Sequence, residues 1–165
     1  MNSEILNLEE RKLLIEWLPE KPKKINIILN SKKDGDTLKI FEDKCKDKSP
    51  TLIVILSKDG YKFGGYTTKQ WKKDVKTKDN NAFVFSLDKK KKYKILKPEQ
   101  STYLCDFFWL FGYSNNAIVI YDNCCNNNNR NYVGNGTYDI KEIGELNGGN
   151  QNFTVKNFEV YHLEY

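Results

Sequence analysis

Residues Gly60–Trp71, GYKFGGYTTKQW, set two adjacent glycines between aromatic residues, just downstream of the apolar run Thr51–Leu56, TLIVIL. That run is apolar at every position from Leu52 to Leu56, the pattern of a strand covered on both faces. Ser57-Lys58-Asp59-Gly60 reads as a hairpin-type turn, so Tyr61–Tyr66 returns antiparallel beside it and the pair is expected at the centre of a sheet. Gly64 and Gly65 then fall inside a strand, where glycine is disfavoured. A phosphate loop is excluded, because no G-K-[S/T] follows and the segment leads toward Trp71 rather than into an apolar helix. Paired glycines in a strand mark a bend, a bulge or the close approach of a backbone or ring. Gly64 and Gly65 are therefore expected to be a structural device, with Tyr66 or Trp71 covering the exposed backbone; a partner-contact surface is the alternative.

Working outward, Asn7 and Glu10 fit a capping box, and Leu13, Leu14, Trp17 and Leu18 share one helical stripe before Pro19. An amphipathic helix over about 7–18 should dock onto something larger. Ile25–Leu29 is a short strand and Ser31–Asp36 a turn; Asp36 or Thr37 caps a second helix with Leu38, Phe41 and Cys45 on one face. Ala82–Leu87 and Tyr93–Leu96 form a meander, Tyr103–Phe111 is an apolar segment, and Ala117–Tyr121 is a buried strand. Phe153–Tyr165 is a long last strand whose apolar parity changes between Val155 and Phe158, which predicts a β-bulge near Lys156-Asn157. Residues 123–136, rich in Asn and Gly, are expected to be a surface loop with nothing buried. The whole predicts a mainly β fold with accessory helices, an antiparallel two-sheet β-sandwich in a single domain over 1–165.

Composition supports this and narrows the function. Ten Tyr, nine Phe and three Trp favour pleated surfaces. No apolar run approaches the roughly 18 residues needed to cross a bilayer, and the first residues lack a secretory pattern, so a soluble, cytoplasmic protein without membrane insertion is expected. The formal charge of +5 is segregated: residues 1–100 hold 24 basic and 15 acidic side chains, residues 101–165 hold 3 and 7. Of the 27 basic residues only Arg11 and Arg130 are arginines, and lysine cannot make the bidentate contacts that favour sequence readout, so specific nucleic-acid binding is disfavoured. The lysine excess and the run Asn126–Asn129 together fit a coding bias toward AT-rich codons. Cys45, Cys105, Cys124 and Cys125 contain no C-x-x-C pair and the one histidine is His162, so no metal site of usual spacing is expected. All four thiols are expected to be reduced and structural, none of them activated, and no cofactor is predicted.

Several segments in order carry a family resemblance: Ser49-Pro50-Thr51-Leu52, Ser57–Thr67 with Trp71, Lys78-Asp79-Asn80-Asn81-Ala82-Phe83-Val84-Phe85-Ser86-Leu87, Leu146-Asn147-Gly148-Gly149, and Phe153, Val155 and Phe158–Tyr161. In order and spacing the chain resembles the TLDc domain, the shared module of the oxidation-resistance proteins. The opening segment SEILNLEERKLLIEWLP resembles that family's leading helix. The chain departs from the family at Gly112–Asn116 and in the Asn-rich loop that follows. The resemblance implies an antiparallel sandwich with flanking helices, a role in oxidative-stress protection, and binding to the vacuolar-type proton ATPase. It implies no catalytic mechanism, and with His162 alone in the last strand no nucleophile elbow is marked, so a non-enzymatic module is expected. Lys69, Lys72 and Lys73, in a lysine-rich stretch over 69–78 beside the glycines, suit docking onto a large acidic or mixed surface, taken to be the cytosolic sector of that ATPase. The alternative is a lectin-like sandwich that binds its ligand with exposed, coplanar aromatic rings.

Overall fold

The run TLIVIL forms the strand at the centre of the molecule. In the computed structural model, which describes residues 2–126 and 130–165, it is β2 (Thr51–Ser57), and its β-branched residues are buried on both faces. It pairs antiparallel with β3 (Lys62–Thr67), across the turn closed by Gly60 N–H donating to the Ser57 carbonyl at 3.0 Å. β3 continues into β4 (Phe83–Ser86) and β5 (Lys91–Lys94). On the other side of β2 lies β11 (Val155–Glu164), and beyond it β1 (Lys24–Asn30), so the six-stranded sheet has the order β1-β11-β2-β3-β4-β5. A second, five-stranded antiparallel sheet runs β10 (Asn152–Phe153), β9 (Asn131–Val133), β8 (Ile118–Tyr121), β7 (Phe108–Phe111), β6 (Thr102–Leu104).

Alternation along β2 explains the layers. Ile53 and Ile55 point into the space between the sheets with Phe63, Trp109, Phe111 and Phe158, while Leu52 and Val54 point to the opposite face. That outer face is covered by α1 (Leu8–Trp17), whose Leu14 packs there, and by Ile5 and Leu6 ahead of it. The capping box forms as expected, with Glu10 N–H donating to Asn7 Oδ1 and Asn7 N–H to Glu10 Oε2, both at 2.9 Å. α3 (Leu38–Cys45), capped by the Thr37 hydroxyl, buries Leu38, Phe41 and Cys45 in the space between the sheets. The antiparallel sandwich with accessory helices expected from the sequence is the fold observed.

The bulge is where the parity change put it. Val155 pairs with Ser57 and Asn157 with Leu56, leaving Lys156 as the extra, exposed residue. Four local expectations are corrected. Ser31–Asp34 is a single helical turn, α2, because the Asn30 side chain accepts from Lys32 N–H and starts it. The apolar segment Tyr103–Phe111 is a hairpin of β6 and β7, turning at residues 105–107 with Cys105 N–H donating to the Phe108 carbonyl at 3.0 Å. The last segment is divided between the sheets: Phe153 belongs to β10, and after Thr154 the chain enters the other sheet as β11. Residues 123–136 are more than a surface loop, for they hold β9 and bury Cys124, Asn131 and Val133. A buried asparagine is tolerated there because its side chain takes the Tyr121 N–H and donates to the Cys124 and Phe153 carbonyls. Of the Asn126–Asn129 run, residues 127–129 lie outside the described residues.

Candidate functional site

Gly64 and Gly65 face opposite sides of β3, and each is required by what lies against it. A Cβ on Gly65 would fall 2.6–2.7 Å from the Phe111 ring of the second sheet; a Cβ on Gly64 would fall 1.9 Å from the Ile53 carbonyl oxygen and 2.9 Å from Phe85. Neither glycine has a positive φ. The device is thus close approach rather than a turn, and the covering rings are Phe111 and Phe85, not Tyr66 or Trp71 as expected. Phe85 is the cross-strand neighbour of Gly64 on β4, while Phe111 reaches Gly65 from the other sheet. Tyr66 lies on the α1 side, stacked on Phe83 with centroids 5.1 Å apart and its hydroxyl 3.2 Å from that of Tyr165. Burial raises its pKa well above the tyrosine range.

Trp71 sits one ring beyond Phe111 in the space between the sheets. It is 2% exposed, meets Phe111 edge-on at 5.6 Å and Phe41 at 5.3 Å, and donates its indole N–H to Thr51 Oγ1 at 3.0 Å. It anchors the connection between β3 and β4, whose other residues are polar except for the exposed Val75 and the buried Ala82 at its end. A second anchor, missed in the sequence, is Asp79. Its buried carboxylate accepts from Thr67 Oγ1 at 2.8 Å, Thr68 N–H at 2.6 Å, Thr68 Oγ1 at 2.9 Å and Asn81 N–H at 3.0 Å, fastening the two ends of the connection to each other. Between these anchors the chain runs beside the edge strand β6: Asp74 N–H donates to the Leu104 carbonyl at 2.8 Å and Thr77 N–H to the Thr102 carbonyl at 3.1 Å.

What this frame displays is charge. Lys69, Lys72, Lys73, Lys76 and Lys78 are all exposed, and all of these but Lys73 line an open hollow of about 390 Å³ together with Ser49, Thr68 and Thr77. Lys73 pairs with Asp106, which holds its ammonium above its ordinary pKa. Lys76 Nζ lies 4.1 Å from the centre of the Tyr113 ring. Among the described residues, Lys69, Lys72 and Lys78 have no carboxylate within ion-pair distance. The seven residues singled out in the sequence therefore separate into two groups. Gly64, Gly65, Tyr66 and Trp71 are interior and structural; Lys69, Lys72 and Lys73 are on the surface.

Aromatic rings also line the outer face of the second sheet. Tyr113, Tyr103, Phe108 and Tyr121 follow one another at 4.9, 6.3 and 5.6 Å, but successive planes are inclined by 58°, 50° and 69°. A flat sugar face needs a coplanar platform, and these rings do not offer one. His162 lies on β11 with Nε2 3.2 Å from the Ser49 carbonyl oxygen.

The family model of the TLDc domain matches residues 1–164, and the chain belongs to that family. A comparison with curated proteins gives no match. No helix of the described residues is long and apolar enough to cross a membrane.

Proposed function

We propose that this TLDc domain is a non-catalytic, cytosolic docking module that binds the catalytic sector of the vacuolar-type proton ATPase and through it contributes to resistance against oxidative stress. The observation that carries the reading is the lysine loop, five exposed ammonium groups on a connection fastened by Trp71 and Asp79. A loop already fixed in one shape loses little conformational freedom on binding. Clustered positive charge speeds encounter with an acidic surface and makes the rate depend on salt. The choice of partner comes from the family resemblance; the choice of face comes from the loop.

The test is the association rate of the purified chain with the isolated ATPase sector, measured across salt concentrations with and without ATP. Reversing charge at Lys69, Lys72 and Lys73 together, each to Glu, should slow association about tenfold or more at low salt and flatten the salt dependence. If the unaltered chain does not bind at low salt and micromolar concentration, the ATPase reading fails. If it binds and the triple variant associates equally fast, the lysine loop is not the contact.

A further inference from the structure

Three donors from distant parts of the chain meet at one end of the sandwich. Asp36 ends the turn between α2 and α3, and Cys124 and Cys125 lie just after β8; the carboxylate oxygen and both sulfurs fall within 4.8 Å of one another. We propose that Asp36, Cys124 and Cys125 form a binding site for a thiophilic divalent cation, Zn²⁺ in class. In a tetrahedral site with metal–sulfur bonds of about 2.3 Å and metal–oxygen bonds of about 2.0–2.2 Å, neighbouring donors stand about 3.5–4 Å apart. Closing on an ion thus takes a shift on the order of 1 Å.

The surroundings hold the donors in place. Cys125 N–H donates to Asp36 Oδ2 at 2.8 Å, and in the reverse direction Leu38 N–H donates to Asp122 Oδ1 at 2.8 Å, so the two segments are tied on either side of the site. The Cys124 carbonyl accepts from Val155 N–H and from Asn131 Nδ2, which fixes the dipeptide against the sheets. Ser31 Oγ stands 4.0 Å from Cys125 Sγ, its own orientation fixed by donating to Asn157 Oδ1 and accepting from Phe158 N–H. Cys124 is the buried floor while Asp36 and Cys125 are half-exposed, which leaves an outward side for entry and for water as a fourth ligand.

The chemistry selects the ion. Two thiolates disfavour Mg²⁺ and Ca²⁺, and the carboxylate favours Zn²⁺ over Cu⁺. The Cys124 thiol, directed at its neighbour, lowers the pKa of Cys125 and has its own raised by that contact and by burial. Coordination forms two metal–sulfur bonds and one metal–oxygen bond, and the two thiol protons pass to solvent, so no oxidant or reductant is needed.

Titration of the reduced full chain with Co²⁺, a spectroscopic probe for Zn²⁺, tests the assignment. One equivalent should produce a sulfur-to-cobalt charge-transfer band with tetrahedral visible bands, and Zn²⁺ should abolish both. Cys125→Ser, at a half-exposed position, should remove the charge-transfer band from a chain whose circular dichroism is unchanged. Asp36→Asn should weaken binding about tenfold or more, and Cys105→Ser should leave it intact. No band at stoichiometric Co²⁺, a band that survives Cys125→Ser, or unaltered affinity in Asp36→Asn would each overturn the three-ligand site.

Discussion

Two polar connections, one after β3 and one after β8, solve the same problem by different physics. Residues 68–82 are held by an indole in the core and a carboxylate with four donors; residues 122–126 are held by backbone hydrogen bonds to Asp36, Asn131 and Val155. Both are ordered by buried groups, although both read as surface. The first fixes itself by burying apolar area and can turn all its lysines outward. The second has little apolar area to bury: of residues 122–126 Cys124 alone is buried, Asp122, Asn123 and Asn126 are exposed, and the segment is held through its backbone. A loop with an apolar anchor is suited to present a surface, and one with polar anchors is suited to enclose a ligand.

The comparison breaks most readily at Trp71. Trp71→Ala removes a ring packed against Phe41, Trp109 and Phe111 and leaves the Thr51 hydroxyl without its donor, so about 3–5 kcal/mol of stability should be lost. Denaturant unfolding would measure the loss, and amide exchange should quicken most across residues 68–82. A loss under about 1 kcal/mol would mean that the indole does not anchor the connection.

How much of this could be read from the sequence follows the same division. β2, β3, the capping box and the bulge depend on neighbours in sequence or on strand parity, and all were legible. The rings over the glycines were not, because Phe111 reaches Gly65 from the other sheet, a meeting that no local pattern encodes. Asp79 appeared only as a member of a motif, and the meeting of Asp36 with Cys124 and Cys125 is made by the fold, not by spacing. The buried Asn131 was concealed by its composition: in an asparagine-rich segment, a residue bonded to the Tyr121, Cys124 and Phe153 backbone looks like the rest. The lysine loop was legible as charge, while the rigidity that makes it a surface was not.

A middle-sized effect sharpens the contrast at the second connection. Asn131→Ala deprives the Tyr121 N–H and the Cys124 and Phe153 carbonyls of a partner inside the protein, and should cost about 1–3 kcal/mol in thermal or denaturant unfolding. The same variant should bind Co²⁺ more weakly, since the Cys124 backbone loses one of its two restraints. A stability loss matching that of Trp71→Ala would erase the difference between a polar and an apolar anchor.

The smallest effect on stability is expected where the effect on binding is largest. The triple substitution of Lys69, Lys72 and Lys73 by Glu touches no core side chain, and of the three only Lys73 has an ion-pair partner among the described residues, the well-exposed Asp106. Exposed pairs contribute about 0–1 kcal/mol, and surface substitutions away from special features usually fall within about 0.5 kcal/mol. Turning Lys73 to Glu also sets it beside Asp106 in place of a cation, a repulsion that added salt should screen. The triple variant should therefore unfold within about 1 kcal/mol of the parent, with the small difference shrinking as ionic strength rises. A loss of several kcal/mol would show that the lysines hold the loop instead of being displayed by it, and slower association by that variant would then report a damaged fold and not a missing contact.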